Sequence, residues 1–384
     1  MNKTAPSRTP NIYTAPTGRP FLDSLAEAIL SGNLPVAEGV APHPIDIPAM
    51  TLLLPTRRAT RAVQEAFLRA GKGQAMLLPR IKPIAEGEED LMLMASTSDL
   101  EGLGAGASDI PPAINELERR LALTSLVMRW SKAERAARDD VGANLDVYAA
   151  AGAGTPAQCA QLAKELASLM DMVETEGVSL ANLDKLVPEN FSEHWQKTLN
   201  FLKIVVEMWP DYLAASKQIS PAGRRNRLIL AEAAHLTANP PQGPVIVAGV
   251  TGSIPATVAL MRAVANLPNG AIVLPELDMT LDEESWQTIV PDHPEHPQYG
   301  LKKLLDALGV SRAQVKELPG VAANPKSIKA RDCLISEAMR PAATTVKWHS
   351  FVGPENAALI EAGLNGISLI EAPSAQDEAE VVSL

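Results

Sequence analysis

Gly18, Arg19 and Pro20 follow a short apolar run, NIYTA (11–15), and lead into a helical pattern, FLDSLAEAIL (21–30). Strand, glycine turn and helix together make the setting of a phosphate-binding loop. Such a loop needs an early glycine that lets backbone N–H groups turn toward phosphate. It needs a lysine for the terminal phosphates, then a Ser or Thr hydroxyl for magnesium. With Gly18 as the second glycine, Tyr13 stands in the place of the first, Arg19 in that of the lysine and Pro20 in that of the hydroxyl. Arg19 keeps a charge that could meet an anion. Pro20 offers neither hydroxyl nor N–H, and suits the first position of a helix. The degenerate loop Gly18, Arg19, Pro20 therefore predicts a strand–turn–helix without ATP binding. The acidic magnesium ligand expected at the end of an apolar strand is missing too. PVIVAG (244–249) ends in Ala248-Gly249, and GAIVLPELD (270–278) reaches Glu276 and Asp278 only past Pro275. Solvated loop acids are the plainer reading of that pair.

A second candidate surface is basic. TLLLP (51–55) runs into TRRATRAVQEAFLRAG (56–71), where Ala62, Val63, Ala66, Phe67 and Ala70 recur at helical spacing. Thr56 is the expected cap and Gly71 the expected stop. Between Arg57 and Lys82 seven cations stand against Glu65 alone, a net of +6 in a chain of net −11. Arg57 and Arg58 fall on the first helical turn at the carboxyl end of a strand, the edge where open α/β sheets bind ligands. Arginine there opposes the helix dipole, so an anion such as a phosphate backbone would give it a reason. A solvated basic face competes with that reading. Arg224, Arg225 and Arg227 form a smaller cluster, more readily read as solvated.

Other reactive residues point to ordinary structure. Asp292, His293, Glu295 and His296 lie in a proline-broken stretch that no helix can organise into a metal site. Cys159 and Cys333 form no CxxC pair and read as buried thiols of a reducing compartment. Trp130, Trp195, Trp209 and Trp286 sit among apolar helical residues and read as core. No serine-hydrolase signature is present.

The elements that must position these residues follow from periodicity. NIYTA, TLLLP, AMLLP (75–79), PVIVAG and GAIVLP are continuous apolar runs of the kind found in a parallel sheet covered on both faces. VTGSIPATVALMRAVANLPNG links two of them as a crossover helix, with Ser253 as candidate cap and Pro255 in its first turn. From about 114 to 235 the pattern is helical, which suggests a helical insertion in an α/β domain. A last strand-like piece, Gly366 to Glu371, precedes the helix start SAQDEAEVVSL, and the chain stops as if truncated. The 384 residues, 46% apolar and 21% charged, suit two or three globular domains. The net negative charge argues against indiscriminate DNA coating but allows a local basic groove. With no signal peptide and no apolar run of about 18 residues, the expectation is a cytoplasmic protein without a membrane partner.

Several stretches resemble the AddB subunits of alphaproteobacterial AddAB helicase–nucleases: IYTAPTGRPFLDSLAEAIL, MTLLLPTRRATRAVQEAFL, AMLLPRIKPI, PVIVAGVTGSIPATVALMRAVANLPNGAIVLPELD, HPQYGLKKLLDALGV and ISLIEAPSAQDEAEVV. Their order and spacing extend the resemblance over nearly the whole chain. The resemblance implies the N-terminal, inactivated-helicase region of a subunit that acts in double-strand break repair by homologous recombination. It implies an α/β, RecA-like parallel sheet of the P-loop helicase type with a large helical insertion. Residues 11–100 and 241–344 would form the first RecA-like domain, 101–240 the insertion, and 345–384 the truncated start of a second. An AddA-type helicase–nuclease would be the heterodimer partner, and single-stranded DNA the ligand of Thr56, Arg57, Arg58 and Arg61. The family's nuclease domain and iron–sulfur cluster would lie beyond Leu384, so no cofactor and no catalysis are expected here. Two competing readings are a hydrolase using Arg19 with Glu276 or Asp278, and a protein scaffold that touches no DNA.

Overall fold

The computed structural model describes residues 10–35, 39–84, 109–141, 155–178, 201–252, 254–321 and 325–383. One six-stranded, all-parallel sheet organises the described chain, in the order β3-β2-β4-β5-β1-β6. Its strands are β1 (Ile12–Thr14), β2 (Thr51–Leu54), β3 (Arg80–Pro83), β4 (Val245–Ala248), β5 (Gly270–Leu274) and β6 (Lys316–Glu317). The helices are α1 (Phe21–Leu30), α2 (Arg57–Ala70), α3 (Glu116–Val141), α4 (Pro156–Thr175), α5 (Trp209–Ser216), α6 (Pro221–Ala238) and α7 (Pro255–Asn266). After them come α8 (Glu283–Gln287), α9 (Tyr299–Leu308), α10 (Lys326–Ala338), α11 (Trp348–Phe351), α12 (Ala357–Leu364) and α13 (Ala375–Ser383).

Apolar runs became strands because both faces of the sheet are covered. Side chains alternate between the faces. Leu52, Leu54, Ile246, Ala248, Ala271 and Val273 pack with α1 and α2, in a core that includes Leu25, Ile29, Val63 and Phe67. Ile12, Leu53, Val245, Val247, Ile272 and Leu274 face the other way, toward α6, α7 and α9. Four of the five expected strands stand where the apolar runs put them. The fifth is shifted, because AMLLP forms no strand and β3 begins at Arg80. The ladder on β2 starts with Arg80 N–H, which donates to the Met50 carbonyl (2.9 Å). β3 pairs only with β2 among the described residues, so an edge strand of polar composition is tolerated.

α2 begins as its sequence dictates. Thr56 is extended, and its hydroxyl oxygen accepts from the Ala59 N–H (3.0 Å). Replacing Thr56 by Ala should cost about 1 kcal/mol, measurable by chemical denaturation. Gly71 closes the helix, with Lys72 and Gly73 in left-handed conformation after it. Pro20 is one place earlier than expected. It is the residue before α1, its carbonyl accepting from Ser24 N–H (3.0 Å). Pro255 does open α7, with Ile254 as the cap residue; Ser253 lies outside the described residues.

The described residues in the middle of the chain are mostly helical and have their own core of Ile114, Leu123, Val127, Ala163, Leu166 and Trp209. Its entry and exit meet in a parallel bridge between Ala113 and Ile219. Arg119, 2% exposed, fastens α3 to α4 by donating to both Asp171 oxygens (2.8 and 2.9 Å) and to the Ala167 carbonyl (3.1 Å). Within the expected insertion, 101–240, α6 touches α4 and also reaches the sheet. α6 places Ile229, Ala233 and Leu236 in the core of the sheet and packs on α7, while Arg225 and Asn226 bond to the end of α4. The boundary expected at 100/101 lies outside the described residues.

The C-terminal stretch departs from expectation. Residues 366–371 form no strand, and Leu369 is 87% exposed. An apolar run becomes a strand only when a neighbour pairs with it, and none does so among the described residues. α12 packs instead on α10, where Gly363 lies against the Ala330 backbone. Between 345 and 383 the described regular elements are helical. No described helix is long and apolar enough to cross a membrane.

Candidate functional site at the carboxyl edge of the sheet

β1 and β5 are neighbours, but the chain leaves them toward opposite faces. α1 follows β1 on one face, and Trp286 and α9 follow β5 on the other. Adjacent strands that diverge in this way open a crevice at their carboxyl ends, the usual ligand position in α/β sheets. A cavity of about 220 Å³ lies there, lined by Thr14, Thr17, Thr280, Glu317, Lys329 and Asp332 among others. It is smaller than the roughly 300 Å³ at which ligand pockets usually begin.

α10 roofs this crevice. Gly18 has φ +72°, and a Cβ on it would sit 2.5 Å from Ile328 Cγ2 of α10. Glycine is thus required by the turn and by the close helix, without any call on phosphate. Asp332 reaches the loop through a hydrogen bond with Thr17. Burial pushes the Asp332 carboxyl up, and repulsion from Asp278, Glu276 and Glu317 adds to this against the Thr17 hydrogen bond. The charge around the crevice is therefore mostly negative, the opposite of what a triphosphate needs.

The other loop residues turn away. Arg19 faces Glu27 of α1 at 3.8 Å, and neither it nor Gly18 lines the cavity. Asp278 is committed to its own loop. It accepts from Thr280 N–H (2.8 Å), Thr280 hydroxyl (2.9 Å), Leu281 N–H (2.9 Å) and Ser336 hydroxyl (2.6 Å). Burial pushes its carboxyl up, but these bonds outweigh it and hold the carboxyl below its ordinary value. None of Arg19, Glu276 and Asp278 is among the residues that line the cavity.

Arg57, Arg58 and Arg61 are exposed on the opening turns of α2, at the carboxyl end of β2. Thr56 sits beside them, its oxygen engaged in the helix cap. The continuous basic patch expected between Arg57 and Lys82 is divided by the fold. Arg69 is about 18 Å from Arg57 along the helix, at about 1.5 Å per residue. There it pairs with Asp23 of α1 (2.6 Å). Arg80 and Lys82 stand on the edge strand β3. Only the three arginines at the head of α2 remain together. In the second cluster Arg225 donates to Thr175 (2.6 Å) where α6 meets α4, a structural use.

The remaining candidates have structural surroundings. Trp130 meets Phe201 edge-on and Trp209 stacks on Tyr212. Trp286 is buried under the Arg312 guanidinium, 4.7 Å away; Trp195 lies outside the described residues. His293 and Glu295 pair at the surface (3.5 Å), and no described group of three or more His, Cys, Asp or Glu could hold a metal. Cys159 is buried and Cys333 half-buried, and neither is in a disulfide. No sequence signal points to Ile328 and Asp332. They lie some 310 residues after the loop they cover, inside a helix with no motif of its own. No protein-family model matches the chain, and no curated protein matches it.

Proposed function

We propose that this chain is the N-terminal, helicase-like part of an AddB-type subunit of an AddAB helicase–nuclease. In this reading it is a cytoplasmic module that guides a single strand of DNA and docks on an AddA-type partner during double-strand break repair by homologous recombination. It hydrolyses no ATP itself. The observation that carries the DNA reading is the cluster of exposed Arg57, Arg58 and Arg61 at the carboxyl end of β2. Three cations on two helical turns suit consecutive phosphates of a flexible strand. A RecA-like assignment is supported by the parallel sheet, by the glycine turn after β1 and by the helical block between β3 and β4. The acidic crevice under α10 supports a domain that has given up nucleotide hydrolysis while keeping the sheet.

Binding of a fluorescently labelled single strand, measured against salt concentration, tests this. Arg57→Ala with Arg58→Ala should weaken binding at least tenfold at low salt. The slope of log K against log salt should fall by about 1.4, since each phosphate that a cation neutralises on a single strand contributes about 0.7. Unchanged affinity and slope in the folded double variant would remove the arginines from the DNA path.

A further inference from the structure

A second polar cavity lies away from the arginines of α2, between the sheet and the C-terminal half of α6. It encloses about 390 Å³, within the range of small-ligand pockets. Strand register explains which side chains meet there. Arg80, Thr51 and Val245 form one row across three strands, and Lys82, Leu53 and Val247 form the row two residues on. Residues two apart share a face. Arg80 and Lys82 therefore stand on the same face as Leu53 and Val245, which belong to the core beneath α6 and α7.

α6 closes the cavity from above. Glu232, His235, Leu236 and Asn239 all line it, and their spacing of three, four and seven puts them on a single helical stripe. Gln242 lines it from the following connection. The result is amphipathic. Leu53 and Val245 give an apolar floor on the sheet and Leu236 an apolar contact on α6 above it, Arg80 and Lys82 give a cationic side, and Glu232, Asn239 and Gln242 a side of acceptors and amides. The last turn of α6 adds the negative end of a helix dipole on that second side. An anionic group is thus favoured at the strand side, and a ring bearing hydrogen-bond donors at the helix side.

We propose that this cavity binds a nucleotide, its phosphate at Arg80 and Lys82 and its base between Leu53 and Val245 of the sheet and Leu236 of α6. A free nucleoside monophosphate and one unit of a single strand present the same chemistry. Only the second source rests on the DNA-guiding reading. The site is remote from the loop after β1 and uses none of its residues.

Methyl-labelled full chain should be titrated with adenosine monophosphate and, separately, with a short oligodeoxyadenylate, following the Leu236 and Val245 methyl signals. We expect saturable shifts. Lys82→Glu should weaken the response at least tenfold, and Lys82→Ala and Asn239→Ala each by a smaller factor. Response to both probes, or to the mononucleotide alone, supports a free-nucleotide site. Response to the strand alone assigns a strand-borne nucleotide. Arg57→Ala with Arg58→Ala should leave the mononucleotide response unchanged. If strand binding ignores that double change while Leu236 still responds, the arginine reading fails and the cavity stands. Methyl signals unmoved by either probe at millimolar concentration, or a response indifferent to all three cavity variants, would overturn the proposal.

Discussion

Truncating Phe67 to alanine is expected to destabilise the protein by about 4 kcal/mol, within the usual range for emptying a buried phenylalanine site. Its side chain is fully buried, in the core where α2 packs against Leu52 and Leu54 of β2 and Ile246 of β4. The lost transfer energy is joined by a cavity that a rigid sheet cannot collapse to fill. Against a typical total stability of about 5–15 kcal/mol the loss is large. Denaturation should show a lower midpoint with little change in slope. The neighbouring Leu68, 56% exposed, provides the contrast. Leu68→Ala should move stability by no more than about 0.5 kcal/mol. Equal effects at the two positions would contradict the docking of α2 on the sheet through Phe67. Under the proposed DNA reading Phe67 also bears on function, because the helix it anchors carries Arg57 and Arg58. The variant should bind single strands less well without any charge having changed.

The sheet was legible because its signal is local. A strand buried on both faces must be continuously apolar, and Ile246, Val247, Ile272 and Val273 say so without reference to distant residues. β6 was illegible for the converse reason. Lys316 and Glu317 are exposed, and only the Tyr13 and Thr14 backbone across the ladder makes them a strand. The AMLLP and 366–371 runs show the limit from the other side. Apolar composition supplies the propensity, but pairing decides, and β2 pairs with Arg80–Pro83 rather than with 75–79. The cap at Thr56 was readable from side-chain chemistry alone. The boundary of the helical block was not, since α6 is helical by the same pattern whether it packs on α4 or on the sheet.

The candidate sites divide along the same line. Departures from a phosphate loop could be read at Tyr13, Arg19 and Pro20 because that motif is contiguous. What fills its place could not, since Ile328 and Asp332 arrive from a helix hundreds of residues later. A run of seven cations reads as one surface on paper. A helix of 14 residues followed by a turn and a strand then carries Arg69, Arg80 and Lys82 away from Arg57. His235 and Asn239 join Lys82 only because α6 crosses the edge of the sheet. Charge counted along a chain locates a surface only while one element holds all of it.

Arg340→Met should destabilise the protein by about 3 kcal/mol at neutral pH, and the deficit should shrink in acid. Arg340 is 7% exposed and joins three segments. It donates to Asp282, the cap of α8, to the Ser285 hydroxyl, and through Nε to Glu337 of α10 (2.8 Å). Lys347 adds a 2.7 Å bond to the same Asp282. Removing one member of a buried ionic group typically costs about 3–5 kcal/mol, because the partners stay behind uncompensated. Asp282 is partly open to water, which places the expectation at the lower end. Burial pushes the Asp282 carboxyl up, but hydrogen bonds from Lys347, Arg340 and Ser285 outweigh it and hold the carboxyl well below the usual carboxylate range. A carboxyl depressed in the folded state stabilises it above the unfolded value, about 3.9, and loses that contribution as pH falls toward the lower folded value. The wild-type protein should therefore lose stability below about pH 4. The variant, which has already given up part of that contribution, should lose less. Urea denaturation of both proteins at pH 7 and pH 3 measures the difference, and a stability gap that is the same at both would show that Asp282 is not held by Arg340. Because α10 also carries Ile328 and Asp332 over the crevice, the same substitution should loosen that roof. Hydrogen exchange in 326–338 should rise while exchange in α2 stays unchanged.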